Sequence, residues 1–258
     1  MQLNLTGKVV VITGGATGIG FAAAEAFGAE QCKVAICSRN AQNLEAACAR
    51  LKEKGVDVYG ESIDITDETS FEQFARNADE HFGRIDVWVN NAGIPGHHKM
   101  LDVSSEEWNR MISTNLTAVF NGCKLAAKYM IKGGGVIFNA GSFQSVFPAA
   151  GSGPYGATKA AVCSLTRTFA AELACYGIRV LTYIPGVIET PMAKVDDWIA
   201  QTNQQANIPL PRLGKPEDLA NTLVFLASDA ASYINGVNIE VTGGKFCVQN
   251  PCFSWEKQ

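Results

Sequence analysis

A chain of 258 residues with 47% hydrophobic and 18% charged residues has enough apolar material for one α/β domain with a sizeable core. A formal net charge of -4 and a pI near 5.5, without a Lys/Arg stripe, argue against a nucleic-acid or anionic-membrane partner and leave a small molecule as the expected one. The eight cysteines (32, 37, 48, 123, 163, 175, 247 and 252) form no Cys-x-x-Cys pair, and with only His81, His97 and His98 beside them no metal site is expected.

In chain order, Lys8-Val-Val-Val-Ile-Thr13 predicts a buried strand running into Gly14-Gly-Ala-Thr-Gly18-Ile-Gly20, with a helix near 18–30. Glycines let the backbone approach a ligand closely, and the free N–H groups at the start of the next helix attract a pyrophosphate, so a dinucleotide is expected. The spacing Gly-x-x-x-Gly-x-Gly departs from the more general Gly-x-Gly-x-x-Gly. A second strand at 33–37 ends in Ser38-Arg39-Asn40, where no Asp or Glu stands to accept from an adenosine 2′-hydroxyl. A guanidinium at that place pairs with a 2′-phosphate, which favours NADP(H) over NAD(H).

Further apolar runs at 56–63, 85–90, 135–140, 178–184 and 237–241 alternate with helical stretches near 40–54, 67–82, 104–132, 154–176 and 216–228. This βαβ repetition predicts an α/β fold of Rossmann-like type, a doubly wound parallel sheet with helices on both faces. Nothing in composition divides the chain, so one domain over 1–258 is expected. Pro154 suits a first helical turn and places Tyr155 near the start of its helix. Tyr155 and Lys159, at i and i+4, share a helix face, so the ammonium is expected to lower the phenol's pKa toward the working range. Ser142, thirteen residues before Tyr155, would supply a second hydrogen bond. Taken alone, the pair is also what a helix with a packed tyrosine and a solvated lysine would show.

Thr13-Gly14-x-x-x-Gly18-x-Gly20, Asn90-Asn91-Ala92-Gly93, Asn115, Ser142, Tyr155-x-x-x-Lys159 and Pro185-Gly186, in that order, resemble the short-chain dehydrogenase/reductase pattern. The resemblance spans roughly residues 5 to 245 and implies about seven strands. It implies that Gly14, Thr17, Gly18, Ile19 and Gly20 form the dinucleotide turn. NADP-preferring relatives often carry a second basic residue there, where this chain has Thr17. By the same resemblance Asp64 and Ile65 would meet the adenine. Asn91, Ala92 and Gly93 would wall the adenosine ribose, and Pro185, Gly186, Ile188 and Thr190 would place the nicotinamide. The mechanism implied is hydride transfer between the nicotinamide and a carbonyl carbon. Tyr155 would serve as proton donor, Ser142 would bond the same oxygen, Lys159 would hold the ribose hydroxyls, and Asn115 would hold a water that links Lys159 to solvent.

The substrate pocket is expected from Ile94 to Lys99, Phe143 to Pro148, and a lid at 191–212, with Ile94, Phe143, Gln144, Phe147, Met192 and Trp198 as candidate contacts. His97 and His98 are further candidates for polar groups. The family pattern is shared by 3-oxoacyl-thioester reductases, hydroxysteroid dehydrogenases and sugar-alcohol dehydrogenases; a hydrophobic substrate is expected, a sugar or polyol is the alternative, and a non-catalytic dinucleotide sensor or scaffold is the alternative of another class. Relatives commonly assemble as homotetramers through the two long helices, so a tetramer or dimer is expected. The usual Asp-Gly-Gly after the last strand reads here as Thr242-Gly-Gly244, followed by a tail at 246–258 in which a disulfide or intersubunit role for Cys247 and Cys252 stays open. Neither a signal peptide nor a membrane-length apolar run is read, so a cytoplasmic location is expected.

Overall fold

Strand β1, Val9–Thr13, is buried along its whole length, and its side chains alternate between two separate cores. Val10 and Ile12 join the core on one face, and Val11 joins the core on the other. The same division runs through β2 (Lys33–Ser38), β4 (Val87–Asn90), β5 (Gly135–Ala140) and β6 (Ile178–Pro185), with β3 (Val58–Ser62) and β7 (Asn238–Val241) at the edges. The seven strands are parallel in the order β3-β2-β1-β4-β5-β6-β7. These relations come from a computed structural model that describes residues 2–96, 98–190, 208–245, 247 and 248.

One face of the sheet is covered by α1 (Gly18–Ala29), α2 (Ala41–Glu53) and, later in the chain, Pro216–Ala227, through residues such as Phe21, Leu44 and Leu223. The other is covered by α3 (Glu68–Phe82) and by two long helices, through Phe71, Phe74, Val119 and Val162. Local chemistry sets the helix ends. Asn40 accepts from the Asn43 N–H at 2.8 Å, and Asp67 accepts from Thr69 and Ser70 at 2.9 and 3.2 Å, each closing an N-terminus that would otherwise leave donors unpaired. Gly83, at φ +82°, ends α3 in the left-handed conformation.

The helix expected over 104–132 is not uniform. It comprises α4 (Ser105–Ile112), a wide π turn at Ser113–Thr117, and α5 (Ala118–Met130). Inside the π turn, Asn115 is fully buried and turns its amide sideways to the Ile94 backbone, accepting from its N–H at 2.8 Å and donating to its carbonyl at 2.9 Å. That side-chain demand accounts for the departure from regular helix. After β5 comes α6 (Gly153–Leu173), with Pro154 in its first turn, and α7 (Pro216–Ala227) follows β6.

A buried polar chain locks α6 to the middle of the sheet. Trp88 donates to Asn90 Oδ1 at 2.8 Å, Asn90 to Asn139 at 2.8 Å, Asn139 to Thr166 at 2.9 Å, and Thr182 to Thr166 at 2.8 Å. Gly122 makes room for it, since a Cβ there would lie 2.0 Å from Asn90 Oδ1. Among the described residues no helix is long and apolar enough to cross a membrane.

Candidate active site

The chain winds off β1 toward β2 and β3 in one direction and off β4 toward β5, β6 and β7 in the other, so a crevice opens at the carboxyl ends where β1 and β4 adjoin. A cleft of about 350 Å³ occupies that place. It is lined by Gly14, Thr17, Gly18, Ile19, Ser38, Arg39, Asp64, Ile65, Asn91, Ala92, Gly93, Tyr155, Lys159, Pro185 and Thr190, all named from the sequence.

The floor beneath the glycine turn is tightly tied. Thr13 Oγ1 accepts from the N–H groups of Asn91 and Ala92 at 3.0 and 3.1 Å, and Asn91 Nδ2 donates to the carbonyls of Thr13 and Gly14 at 3.1 and 3.2 Å. Gly14 holds φ +65°, and a Cβ on it would meet Ala92 Cα at 3.0 Å. Gly20 is not a lining residue: a Cβ there would come within 2.3 Å of the Gly14 carbonyl, so its glycine lets α1 pack on the turn. Gly186 and Ile188 also stand off the cleft, Gly186 against the Thr242 backbone and Ile188 in the core beside Gly214. The start of α1 has no side-chain cap and no acid in its first turn, so its N–H groups stay committed to no side chain.

At the β2 end of the cleft Arg39 is exposed and lines it, and among the described residues no carboxylate forms an ion pair with it. Ser38 Oγ accepts from the Asn40 N–H at 3.4 Å. Asp64 folds back on Thr66, accepting from its N–H and hydroxyl at 2.9 and 2.8 Å, while the cap of the next helix is Asp67.

At the opposite end three side chains converge. Lys159 is buried and donates to the Ala140 carbonyl at 2.8 Å, with its Nζ 5.7 Å from the centre of the Tyr155 ring. The Tyr155 phenol is hydrogen-bonded with Ser142, whose Oγ accepts from the Gln144 N–H at 3.2 Å. The electrostatics depart from the sequence expectation of a phenol made more acidic by its lysine. Burial raises the Tyr155 pKa, the Ser142 hydrogen bond opposing it only in part, whereas desolvation lowers that of Lys159 to about 8. Asn115 does not line the cleft; its amide bonds the Ile94 backbone and Met111. It lies against Gly93, where a Cβ would be 3.1 Å from Asn115 Oδ1 and 3.6 Å from Lys159 Nζ.

Of the substrate candidates, Ile94 is buried, Phe143 half-buried and Phe147 49% exposed. Gln144 is buried, with no partner for its Oε1 among the described residues. Met192, Trp198, His97 and residues 191–207 of the segment expected as a lid lie outside the described residues, as do Cys252 and most of the tail. In the described remainder of that segment, Arg212 forms a bidentate pair with Asp218 at 2.6 and 2.9 Å. His98 forms an ion-pair contact with Glu107 at 2.5 Å. Among the described residues no His/Cys/Asp/Glu group is arranged to hold a metal.

Sequence reasoning missed Cys37, Asn40, Ile63, Thr114, Ala140, Gly141 and Tyr183, which also line the cleft. Most adjoin a named motif and could have been found as its neighbours; Tyr183, inside an apolar strand, carried no such signal. Lys245 was missed as well: it is buried with Nζ 5.8 Å over the Phe143 ring, and burial lowers its pKa.

Residues 14–245 match the family profile described as Enoyl-(Acyl carrier protein) reductase. The chain is 39% identical over 245 residues to 2,5-dichloro-2,5-cyclohexadiene-1,4-diol dehydrogenase LinX of Sphingobium indicum, covering 95% of this chain and 98% of that one. It is 37% identical over 243 residues to 3-oxoacyl-(acyl-carrier-protein) reductase FabG of Thermotoga maritima, covering 94% and 99%. A solved structure of a short-chain type dehydrogenase/reductase from Mycobacterium marinum superposes with a TM-score of 0.91 at 33% identity, over 95% of this chain and 98% of that one.

Proposed function

We propose, for a chain that belongs to the short-chain dehydrogenase/reductase family and is an alcohol/ketone oxidoreductase using NAD(P)(H), that the cofactor is NADP(H) and the substrate a hydrophobic ketone, hydroxysteroid-like or a 3-oxoacyl thioester. The observation that carries the chemistry is the meeting of Tyr155 and Lys159 at one end of a cleft whose other end holds Arg39, with Ser142, itself off the cleft lining, hydrogen-bonded with Tyr155.

The cleft's donor set fits a dinucleotide. An uncapped helix start beside a glycine turn suits a pyrophosphate, and an arginine free of ion pairs among the described residues suits a 2′-phosphate. Gly14, Thr17, Gly18 and Ile19 would hold the pyrophosphate side, Ser38 and Arg39 the 2′-phosphate, Asp64 and Ile65 the adenine, Asn91, Ala92 and Gly93 the ribose wall, and Lys159, Pro185 and Thr190 the nicotinamide riboside. When bound, the nicotinamide supplies or accepts a hydride at the carbon bearing the substrate oxygen. Tyr155, kept protonated by its burial, gives its proton to that oxygen during reduction, and Ser142 stabilises the same oxygen. Lys159 provides the compensating positive charge, and Asn115 keeps the Gly93 and Ile94 wall in place beside it.

The test is oxidation of NADPH and NADH in parallel against 3-oxoacyl thioesters, keto-steroids and keto-sugars, with Arg39→Asp as the second protein. NADPH is expected to be preferred by the native chain, and Arg39→Asp to reverse that preference by about tenfold or more. Tight NADPH binding without turnover of any ketone would leave a dinucleotide-binding sensor or scaffold as the better reading.

One observation favours a second reading, a sugar or polyol substrate. Among the described residues Gln144 Oε1 is a buried acceptor without a partner, two residues from Ser142. A substrate hydroxyl would satisfy it, and an unpaired buried acceptor is worth about 1–3 kcal/mol. On this reading Gln144→Leu lowers kcat/KM for polyols about ten- to hundredfold and spares simple hydrophobic ketones.

The assembly we infer is a homo-oligomer, tetramer or dimer, formed across the groove of Leu116, Phe120, Ala161 and Leu165 between α5 and α6, where Phe120 is 40% exposed. Our reading also treats the whole chain as one domain with 191–212 as a substrate lid, and places the enzyme in the cytoplasm.

A further inference from the structure

We infer that Tyr183 is a positioning residue for the dinucleotide, acting through Asn91 on the glycine turn. Tyr183 lies on β6, lines the same cleft as Tyr155, and is 1% exposed. Its phenol donates to Asn91 Oδ1 at 3.0 Å. The direction of that bond follows from the other end of the amide. Asn91 Nδ2 faces the carbonyls of Thr13 and Gly14 at 3.1 and 3.2 Å, two acceptors, so the nitrogen must stand there and the oxygen must face Tyr183. An amide oxygen has no proton to give, and the phenol therefore supplies it. Burial, with Tyr155 close by, raises the Tyr183 pKa and holds that proton in place.

The consequence is a three-strand clasp at the carboxyl ends of the sheet. Tyr183 on β6 sets the amide that follows β4, and that amide sets the carbonyls at the end of β1 and at Gly14. The start of α1 packs closely on the same amide and turn: a Cβ on Gly20 would lie 2.5 Å from Asn91 Nδ2 and 2.3 Å from the Gly14 carbonyl. Without the hydroxyl, Asn91 Oδ1 loses its partner and the amide is held against the turn by its Nδ2 bonds alone, with its orientation less closely fixed. The expected loss is in the readiness of the turn to receive the cofactor, and no proton of the reaction passes through Tyr183.

The inference rests on the reading of the cleft as a nicotinamide dinucleotide site, and binding measured without substrate separates the two. NADPH and NADH are titrated by fluorescence against the native chain and Tyr183→Phe. If the native chain binds neither, the cofactor reading itself fails. If it binds, Tyr183→Phe is expected to weaken binding about fivefold and to raise the cofactor KM equally, the factor that about 1 kcal/mol represents. At saturating cofactor, kcat and its pH profile stay within twofold of the native values. In an Asn91→Leu background the Tyr183→Phe change is expected to add nothing, because the coupling partner is gone. Unchanged cofactor affinity with a lowered melting temperature would make Tyr183 merely structural and overturn the inference. A large fall in kcat with a shifted pH profile would overturn it too, by making the phenol a proton donor.

Discussion

Burial acts in opposite senses on the two central side chains of the site, and both effects have consequences that can be measured. For Tyr155, desolvation disfavours the phenolate and favours the acid form, which is the form the proposed reduction uses. Tyr155→Phe removes that proton and is expected to lower turnover by about two to four orders of magnitude, while NADPH affinity by fluorescence stays nearly unchanged. For Lys159, desolvation disfavours the ammonium, so its folded pKa of about 8 lies below the ordinary lysine value of 10.5. The charged form is therefore less favourable in the folded chain than in the unfolded one. The resulting destabilisation is fully present below about pH 8 and fades as the pH rises toward 10.5. Lys159→Met is expected to abolish activity yet stabilise the fold by about 1–3 kcal/mol at pH 7, with the gain shrinking by pH 10 in urea unfolding. A mutant less stable than the native chain at pH 7 would show that the bond to the Ala140 carbonyl outweighs the desolvation. That Tyr155 and Lys159 share one face of a helix was legible in the Tyr-x-x-x-Lys spacing. The direction of their electrostatics was not, because a helix-face argument counts the neighbouring charge and cannot count the atoms that exclude water.

Among the elements, α6 carries Tyr155 and Lys159, and its position depends on a polar chain through the sheet rather than on apolar contact alone. Asn139 stands at the centre of that chain, accepting from Asn90 and donating to Thr166. Asn139→Ala breaks the chain at its middle, taking one buried hydrogen bond from Asn90 and one from Thr166 while Trp88 and Thr182 still bond them, and is expected to cost about 2–4 kcal/mol in urea denaturation and to reduce activity in proportion to misplacement of α6. A cost below about 0.5 kcal/mol would mean that packing alone sets the helix. The alternation of strands and helices was readable from apolar periodicity, and the expected boundaries agree with the observed ones to within a few residues. The π turn at Ser113–Thr117 was not readable, since its cause is a contact between Asn115 and Ile94 across a gap in sequence. The same gap hid the role of Tyr183, whose partner Asn91 lies 92 positions away.

For the molecule as a whole, the doubly wound order of strands brings the ends of β1, β2, β4, β5 and β6 to one edge, so that Arg39 and Tyr155 share one cleft. The helices on the face of α3, α5 and α6 leave Phe120 partly exposed beside an apolar groove. If that face joins copies of the chain, Phe120→Glu is expected to shift the sedimentation coefficient to a smaller species without changing the far-ultraviolet circular dichroism. An unaltered sedimentation profile would place the assembly contact elsewhere.

The chain by itself determined the alternation of its elements, the glycine turn, and which phenol, amine and hydroxyl stand together, because each of these is written in short-range spacing and residue chemistry. Only the tertiary structure decided which glycines line the cleft and which merely admit a neighbour, that Asn115 serves the Ile94 backbone, and that Tyr183 holds Asn91. Those outcomes depend on distances between strands and on exclusion of water, and both arise only once the sheet has brought distant segments into contact.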